Sequence, residues 1–271
     1  VTPARLAVIA LVSCSYGVIL LSIAGHGPPL WFVVGLLAAQ AIVVHLGIFF
    51  VNFGVFLDVV SEIEPGRRAV ALTFDDGPHP VHTPRVLDML DAVGAKATFF
   101  VIGAKADAHP EVIAEIARRG HEVALHSYEH DHLLFMRPEP SIVRDLVKTQ
   151  DAIERACGAR SKLFRPPVGF SSPRTRVAVK ELGLVVVGWS ARAFDGAGRP
   201  SVEQILERLS ASVRDGAIVL LHDAPERGDN APTSLEALPA LLAMISERGL
   251  STVTVSSLIG SAQAEPVVAR V

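Results

Sequence analysis

The sequence predicts an α/β fold with a mostly parallel sheet, preceded by a hairpin of two apolar helices. Three observations carry that expectation. From Ala69 onward, short apolar runs alternate with helical patterns roughly seven times. Prolines and glycines punctuate the alternation at helix starts and ends. Before it, residues 1–60 hold only two formal charges, Arg5 and Asp58, which cancel.

Leu6 to Ala24 form an almost wholly apolar run of 19 residues, broken by Gly25, His26, Gly27, Pro28 and Pro29. A second run starts at Leu30 and reaches about Val51. Each approaches the roughly 20 residues that cross a bilayer as a helix. Only Gln40, His45 and a few serines interrupt them, so neither run has a polar face for water. This argues for a membrane hairpin over two buried helices. The length of the first run and the second run behind it argue against a cleaved signal peptide. Asn52 to Val60 reads as an interfacial connector and Glu62 to Arg68 as a short linker. Val1 as first residue fits either processing or a non-standard start codon.

The strands expected next are Ala69–Phe74, Ala97–Val101, Glu122–Leu125, Lys162–Phe164, Leu184–Trp189, Ala217–Leu221 and Leu250–Val255. Helices are expected near Pro84–Ala92, Pro110–Arg119, Pro140–Ala156, Pro173–Leu182, Val202–Val213 and Leu235–Arg248. Gly94, Gly120, Gly158, Gly183 and Gly249 stand just past helix ends, as C-cap glycines do. The chain thus divides into an anchor (1–60), a linker (61–68), an α/β domain (69–260) and a patternless, mobile tail (261–271).

Composition narrows the function. Of 271 residues 50% are hydrophobic, and the mean hydropathy of +0.40 is too high for a disordered chain. The net charge of −3 falls wholly on residues 61–271, with no basic stripe, which argues against nucleic-acid binding. Cys14 and Cys157 fall one in each part, so no disulfide forms within the α/β domain.

The polar residues that stand out all follow expected strands: Asp75 and Asp76, His126 and His130, Arg165, Trp189 and Asp195, then His222 and Asp223. In parallel α/β folds those strand ends share one face, where active sites assemble. Two adjacent carboxylates repel unless a cation compensates them. They also project differently, so one can bind a metal while the other faces substrate. A solvated turn at Asp76-Gly77-Pro78 is the simpler alternative. On a helical turn His126 and His130 share a face, and two His with one Asp suit zinc and leave a position open for water. His121 and His132 nearby leave open a merely His-rich loop. In Arg165-Pro166-Pro167 the prolines hold the chain extended, which could fix the Arg against a carboxylate and aim the Val168 N–H inward; read alone, a proline-rich loop with a surface Arg is the simpler alternative. His222 closes an apolar strand, a sound position for a general acid, with a strand-end His satisfied by the backbone as the alternative.

Together, Thr73-Phe74-Asp75-Asp76-Gly77, His126-Ser127-x-x-His130, Arg165-Pro166-Pro167 and Leu221-His222-Asp223 resemble the ordered motifs of polysaccharide deacetylases. This is the NodB-homology group, carbohydrate esterase family 4. Gly77-Pro78-His79-Pro80, Ala97 to Gly103, and Arg119-Gly120-His121-Glu122-Val123 extend the resemblance, which covers about residues 69–258. It implies a deformed (β/α)7 barrel and a divalent metal, usually Zn2+. It implies Asp76, His126 and His130 as ligands, Asp75 as general base held by Arg165, and His222 as general acid. Leu221 would line a pocket for the acetyl methyl, and Trp189 would face the substrate. Two departures stand out. Val168 replaces a residue that is often aromatic, although its N–H can still serve an oxyanion. Arg192 replaces the first of two acidic residues, while Asp195 keeps the second and can orient His222.

The expected activity is hydrolytic removal of N-acetyl groups from an amino-sugar polymer or oligomer of the chitin or peptidoglycan kind. One rival is deacetylation or deformylation of a lipid-linked amino sugar at the membrane surface. Another is an inactive sugar-binding module, against which the intact Asp75, Asp76, His126, His130 and His222 set argues. The expected location is a bacterial inner membrane. Arg5, Arg67 and Arg68 argue for a cytoplasmic domain, whereas the resemblance points outside, where relatives commonly act on cell-wall or secreted polysaccharide.

Overall fold

In the computed structural model, which describes residues 2–196 and 200–260, the chain opens with helices α1 (Pro3–Ile23) and α2 (Leu30–Phe49). They run antiparallel, and Gln40 Nε2 links them by donating to Ser15 Oγ at 2.6 Å and to the Leu11 carbonyl at 3.2 Å. Their mean hydropathies are 2.4 and 2.3, yet their most apolar windows are 0% and 6% buried. Core helices of a soluble fold would be buried; these present apolar side chains outward. The pair is also tied to later parts of the chain. Arg5 pairs with Asp58 and donates to the Val55 carbonyl at 3.2 Å. Ser171 Oγ donates to the Gly47 carbonyl at 2.7 Å.

After β1 (Val59–Val60) come β2 (Ala69–Asp75), α3 (His82–Asp91), β3 (Thr98–Val101), α4 (Gly103–Ala108), α5 (Pro110–Arg118) and β4 (Glu122–Leu125). The second half runs α6 (Glu139–Cys157), β5 (Leu163–Phe164), α7 (Pro173–Glu181), β6 (Val185–Val187), β7 (Ala191–Arg192) and α8 (Val202–Ser212). It ends with β8 (Ile218–His222), α9 (Ser234–Glu247), β9 (Ser251–Val253) and α10 (Val255–Ile259). The strands lie in the order β1-β6-β5-β4-β3-β2-β8-β7, all paired parallel, with β9 added beside the start of β2. Among the described residues nothing pairs β7 with β1, so the barrel is half open. Asn52, ahead of β1, ties itself to the chain just past β6, donating from Nδ2 to the Trp189 carbonyl at 2.8 Å.

The period of two along each strand sorts side chains into two layers. Val70, Leu72, Phe74, Phe99, Leu125, Phe164, Val219 and Leu221 face the helices. Ala69, Ala71, Phe100, Ala124, Leu163, Val187 and Ile218 face inward, where Val255 and Leu258 of α10 close the bottom. Each buried Leu or Phe contributes roughly 1.5–3 kcal/mol of transfer free energy. At the carboxyl ends the inward positions turn polar, and those positions build the site.

The parallel α/β architecture agrees with the sequence expectation, and all five glycines expected at helix ends have positive φ, between 62° and 75°. Two readings are corrected. Residues 52–60 are not a mere connector: Val59 pairs with Val186, and Val55 and Leu57 are buried. Their apolarity serves the core. The segment 126–130 is not a helical turn, because Ser127 (φ 67°) and His130 (φ 54°) are left-handed. The segment read as a tail, 261–271, lies outside the described residues.

Candidate active site

Asp75 ends β2 and is buried, as is Asp76 just beyond it. Arg165, fully buried after β5, donates from Nη1 to Asp75 Oδ1 at 2.6 Å and to Thr73 Oγ1 at 2.8 Å. Its Nη2 and Nε donate to the carbonyls of Gly188 and Val187 at 2.9 and 3.2 Å, and its guanidinium lies 4.1 Å from the Phe100 ring centroid. Five donors on a planar head let one side chain satisfy so many acceptors.

Asp76 is turned away from this pair by its φ of 70°. Its Oδ1 lies 3.2 Å from His130 Nε2 and 3.4 Å from His126 Nε2, with no hydrogen-bond partner. Burial alone would raise the Asp76 pKa, but the imidazoles of His126, His222 and His130 beside it hold it far below the usual carboxylate range. Burial likewise works against a charged His126, yet Asp75 and Asp76 lift it. His130 is pushed down to about 4 by burial and by His126. The left-handed backbone at Ser127 and His130 costs about 1–3 kcal/mol per residue. It brings the two rings within 4.9 Å, the approach that the sequence assigns to a helical turn.

The donor set fits a divalent metal. Ligand atoms of Asp76, His126 and His130 lie within 4.8 Å of one another. A buried carboxylate oxygen lacking any hydrogen bond faces two imidazole nitrogens. His126 Nδ1 lies 2.8 Å from the Arg165 carbonyl, which fixes the tautomer and leaves Nε2 free to ligate.

On the far side, His222 ends β8 with Nδ1 3.0 Å from Asp195 Oδ1, and its backbone N–H donates to Asp195 Oδ2 at 2.8 Å. Burial lowers the His222 pKa, but Asp195 outweighs it, and the imidazole is raised to about 9. A Cβ on Gly196 would stand 2.6 Å from His222 Nε2, so this approach requires glycine. His222 Nε2 lies 4.0 Å from Asp76 Oδ2, which sets the imidazole opposite the His126–His130 pair.

Asp75, Asp76, His126, His130 and His222, with Val168, Trp189, Arg192 and Glu226, line one cavity of about 100 Å³, and Arg165 and Asp195 hold Asp75 and His222 from behind it. Leu221 does not join them. It faces the helices in the core, while Leu220, in phase with His222, lines the cavity. The adjacent Asp223 also points elsewhere, accepting from Thr83. Two further contributors escape the sequence reading. Lys105 Nζ joins the carbonyls of Asp76 and Pro225, each at 2.7 Å, and Glu226 approaches His130 Nδ1 at 3.6 Å. Neither follows a strand within a recognisable motif, so spacing offers no signal for them.

The polysaccharide deacetylase family profile matches residues 62–187. A chitooligosaccharide deacetylase of Sinorhizobium fredii is 37% identical over 202 residues, covering 72% of this chain and 93% of that one. The chain belongs to the polysaccharide deacetylase family. A second member, a peptidoglycan-N-acetylglucosamine deacetylase of Bacillus cereus, is 33% identical, covering 74% of this chain and 92% of its own. Among solved structures, a carbohydrate esterase family 4 pseudoenzyme from Bacillus anthracis superposes with a TM-score of 0.68 at 25% identity, over 74% of this chain and 69% of that one. Its similarity to these deacetylases places the protein among the hydrolases of amide bonds. The family match begins at residue 62, so α1, α2 and β1 precede it.

Proposed function

We propose that the protein is a membrane-held, metal-dependent deacetylase that removes N-acetyl groups from amino sugars of the kind found in chito-oligosaccharides and peptidoglycan. The single observation that carries this is the pairing on either side of one cavity: Asp75 with Arg165, and His222 with Asp195, flanking Asp76, His126 and His130. The exposed apolar pair α1 and α2 supports the membrane attachment.

Asp76, His126 and His130 hold the metal, for which the mixed N/O donor set favours Zn2+. When bound there it supplies Lewis acidity toward the amide carbonyl and makes water more acidic. Asp75, held in place by the Arg165 guanidinium, takes the proton of the attacking water. Val168, which borders the cavity, offers its backbone N–H to the oxygen on which charge builds. Leu220 receives the acetyl methyl, and Trp189 forms a wall for the sugar. His222, protonated and held by Asp195, donates its proton to the leaving nitrogen. The C–N bond breaks, and acetate and a free amino sugar leave. The related pseudoenzyme makes an inactive fold a concrete rival, against which the complete set of acid, base and ligand residues weighs. Acetate release from N-acetylated chito-oligosaccharides by the purified protein tests the reading. Release abolished by chelation is expected; no release by the metal-loaded protein would overturn it.

A further inference from the structure

A second, larger cleft of about 880 Å³ opens beside the catalytic cavity and shares Val168, Trp189 and Arg192 with it. Its outer wall is the end of α2 and the turn beyond it, through Phe49, Phe50 and Phe53. Phe170, packed edge-to-face on Phe49 with ring centroids 4.9 Å apart, and Phe194 complete its aromatic lining. Phe50, Phe53 and Phe194 are 51%, 42% and 47% exposed. Single exposed aromatics are ordinary, but several around one cleft at the end of an apolar helix mark a binding surface.

Two guanidiniums stand in this apolar setting. Arg192 lies 4.6 Å from the Phe194 ring centroid, and Arg208 lies 5.5 Å from it. Arg208 donates to the Ala193 carbonyl at 3.1 Å, while Arg192 Nε is buried with no acceptor among the described residues. Among the described residues neither forms an ion pair; Asp195 and Asp75 act on Arg192 only from a distance. A buried guanidinium N–H without an acceptor is costly, and an anion removes that cost. A neutral glycan has no anion to offer, although its sugars would stack on aromatic rings.

From this juxtaposition we infer that the amino sugar is presented joined through a phosphate or diphosphate to a long-chain lipid. The inference rests on the deacetylase reading and on the membrane attachment proposed with it. The sugar occupies the catalytic cavity, and the phosphate sits at its border on Arg192 and Arg208, whose planar forks suit phosphate oxygens. The hydrocarbon runs between the phenylalanines toward the end of α2, where the bilayer begins. The segment preceding the family match thereby becomes part of the substrate site as well as an anchor.

The test uses the full chain in detergent micelles and compares kcat/KM for polyprenyl-phosphate-linked N-acetylglucosamine with kcat/KM for a soluble chito-oligosaccharide. The ratio is expected to favour the lipid-linked probe. Arg208→Gln should lower it about tenfold, the scale of one charge-assisted hydrogen bond. Phe53→Ser should lower it as well, by removing apolar contact with the chain. Acetate from both probes, with a ratio that neither variant moves or with the soluble sugar preferred, overturns the lipid inference and leaves the deacetylase reading standing. No acetate from either probe overturns both.

Discussion

Asp75 and Asp76 are consecutive and both buried, yet their carboxylates face different partners. Asp75 Oδ1 accepts from Arg165 Nη1 at 2.6 Å, whereas Asp76 Oδ1 lies 3.2 and 3.4 Å from the Nε2 atoms of His130 and His126. The left-handed backbone at Asp76 makes the divergence possible. Two neighbouring buried carboxylates are tolerated because each has its own cationic or ligating partner. In the proposed mechanism this divergence leaves proton transfer to Asp75 and metal binding to Asp76.

If Asp76, His126 and His130 form the metal site, His126→Ala removes one of three ligands and the tautomer lock through the Arg165 carbonyl. Elemental analysis of the purified variant should find metal content near zero, and activity should be lost with it. Metal retained at the unmodified protein's content would place the ion elsewhere.

In the proposed mechanism the Asp195–His222 pair sets the upper limb of the pH profile. His222 is raised to about 9 despite its burial, and the protonated imidazole is the form that donates. Turnover should therefore persist below about 9 and fall as pH rises through it. Asp195→Asn removes the carboxylate that lifts this pKa, so the falling limb should move toward the ordinary value of 6.5. An unmoved limb would separate the limb from His222.

Leu220 and Leu221 face opposite sides of β8, and single substitutions should separate their effects. Leu220→Ala should lower kcat/KM about tenfold, the scale of lost apolar contact with a small group. Leu221→Ala should chiefly destabilise the fold, by about 2–5 kcal/mol, in denaturant unfolding. Equal effects on both readouts would undo the distinction.

The helices α1 and α2 expose apolar surface along their length. The full chain should sediment with membranes, resist high salt and be released by detergent. Release by salt alone would make the pair a peripheral attachment. Two of the charges that argue for orientation carry less than their positions suggest. Arg67 Nη1 donates to the Ser257 carbonyl and Arg68 Nε to that of Gly249, so both belong to the folded domain.

Much of this architecture is legible in the sequence because its signals are local. The strand at Glu122–Leu125 matches the expected boundaries, and the first and last of the expected helices differ only at their ends. Asp75, Asp76, His126, His130, Arg165 and His222 converge because each follows a strand of one parallel sheet. What the sequence hides depends on phase and on very short elements. The family resemblance implies Leu221 as the cavity residue, but the two-residue period favours Leu220. The strand at Val59–Val60 holds two residues, too few for a pattern. The His126–His130 geometry rests on left-handed backbone at non-glycine residues, which composition does not signal.

Paired measurement of bound metal and acetate release in Asp75→Asn tests the division of labour between the adjacent carboxylates most directly. The expected variant keeps the metal content of the unmodified protein and loses about 10²–10⁴-fold in turnover, the usual worth of a general base. Loss of the metal from Asp75→Asn, or retention of full turnover, would contradict that division.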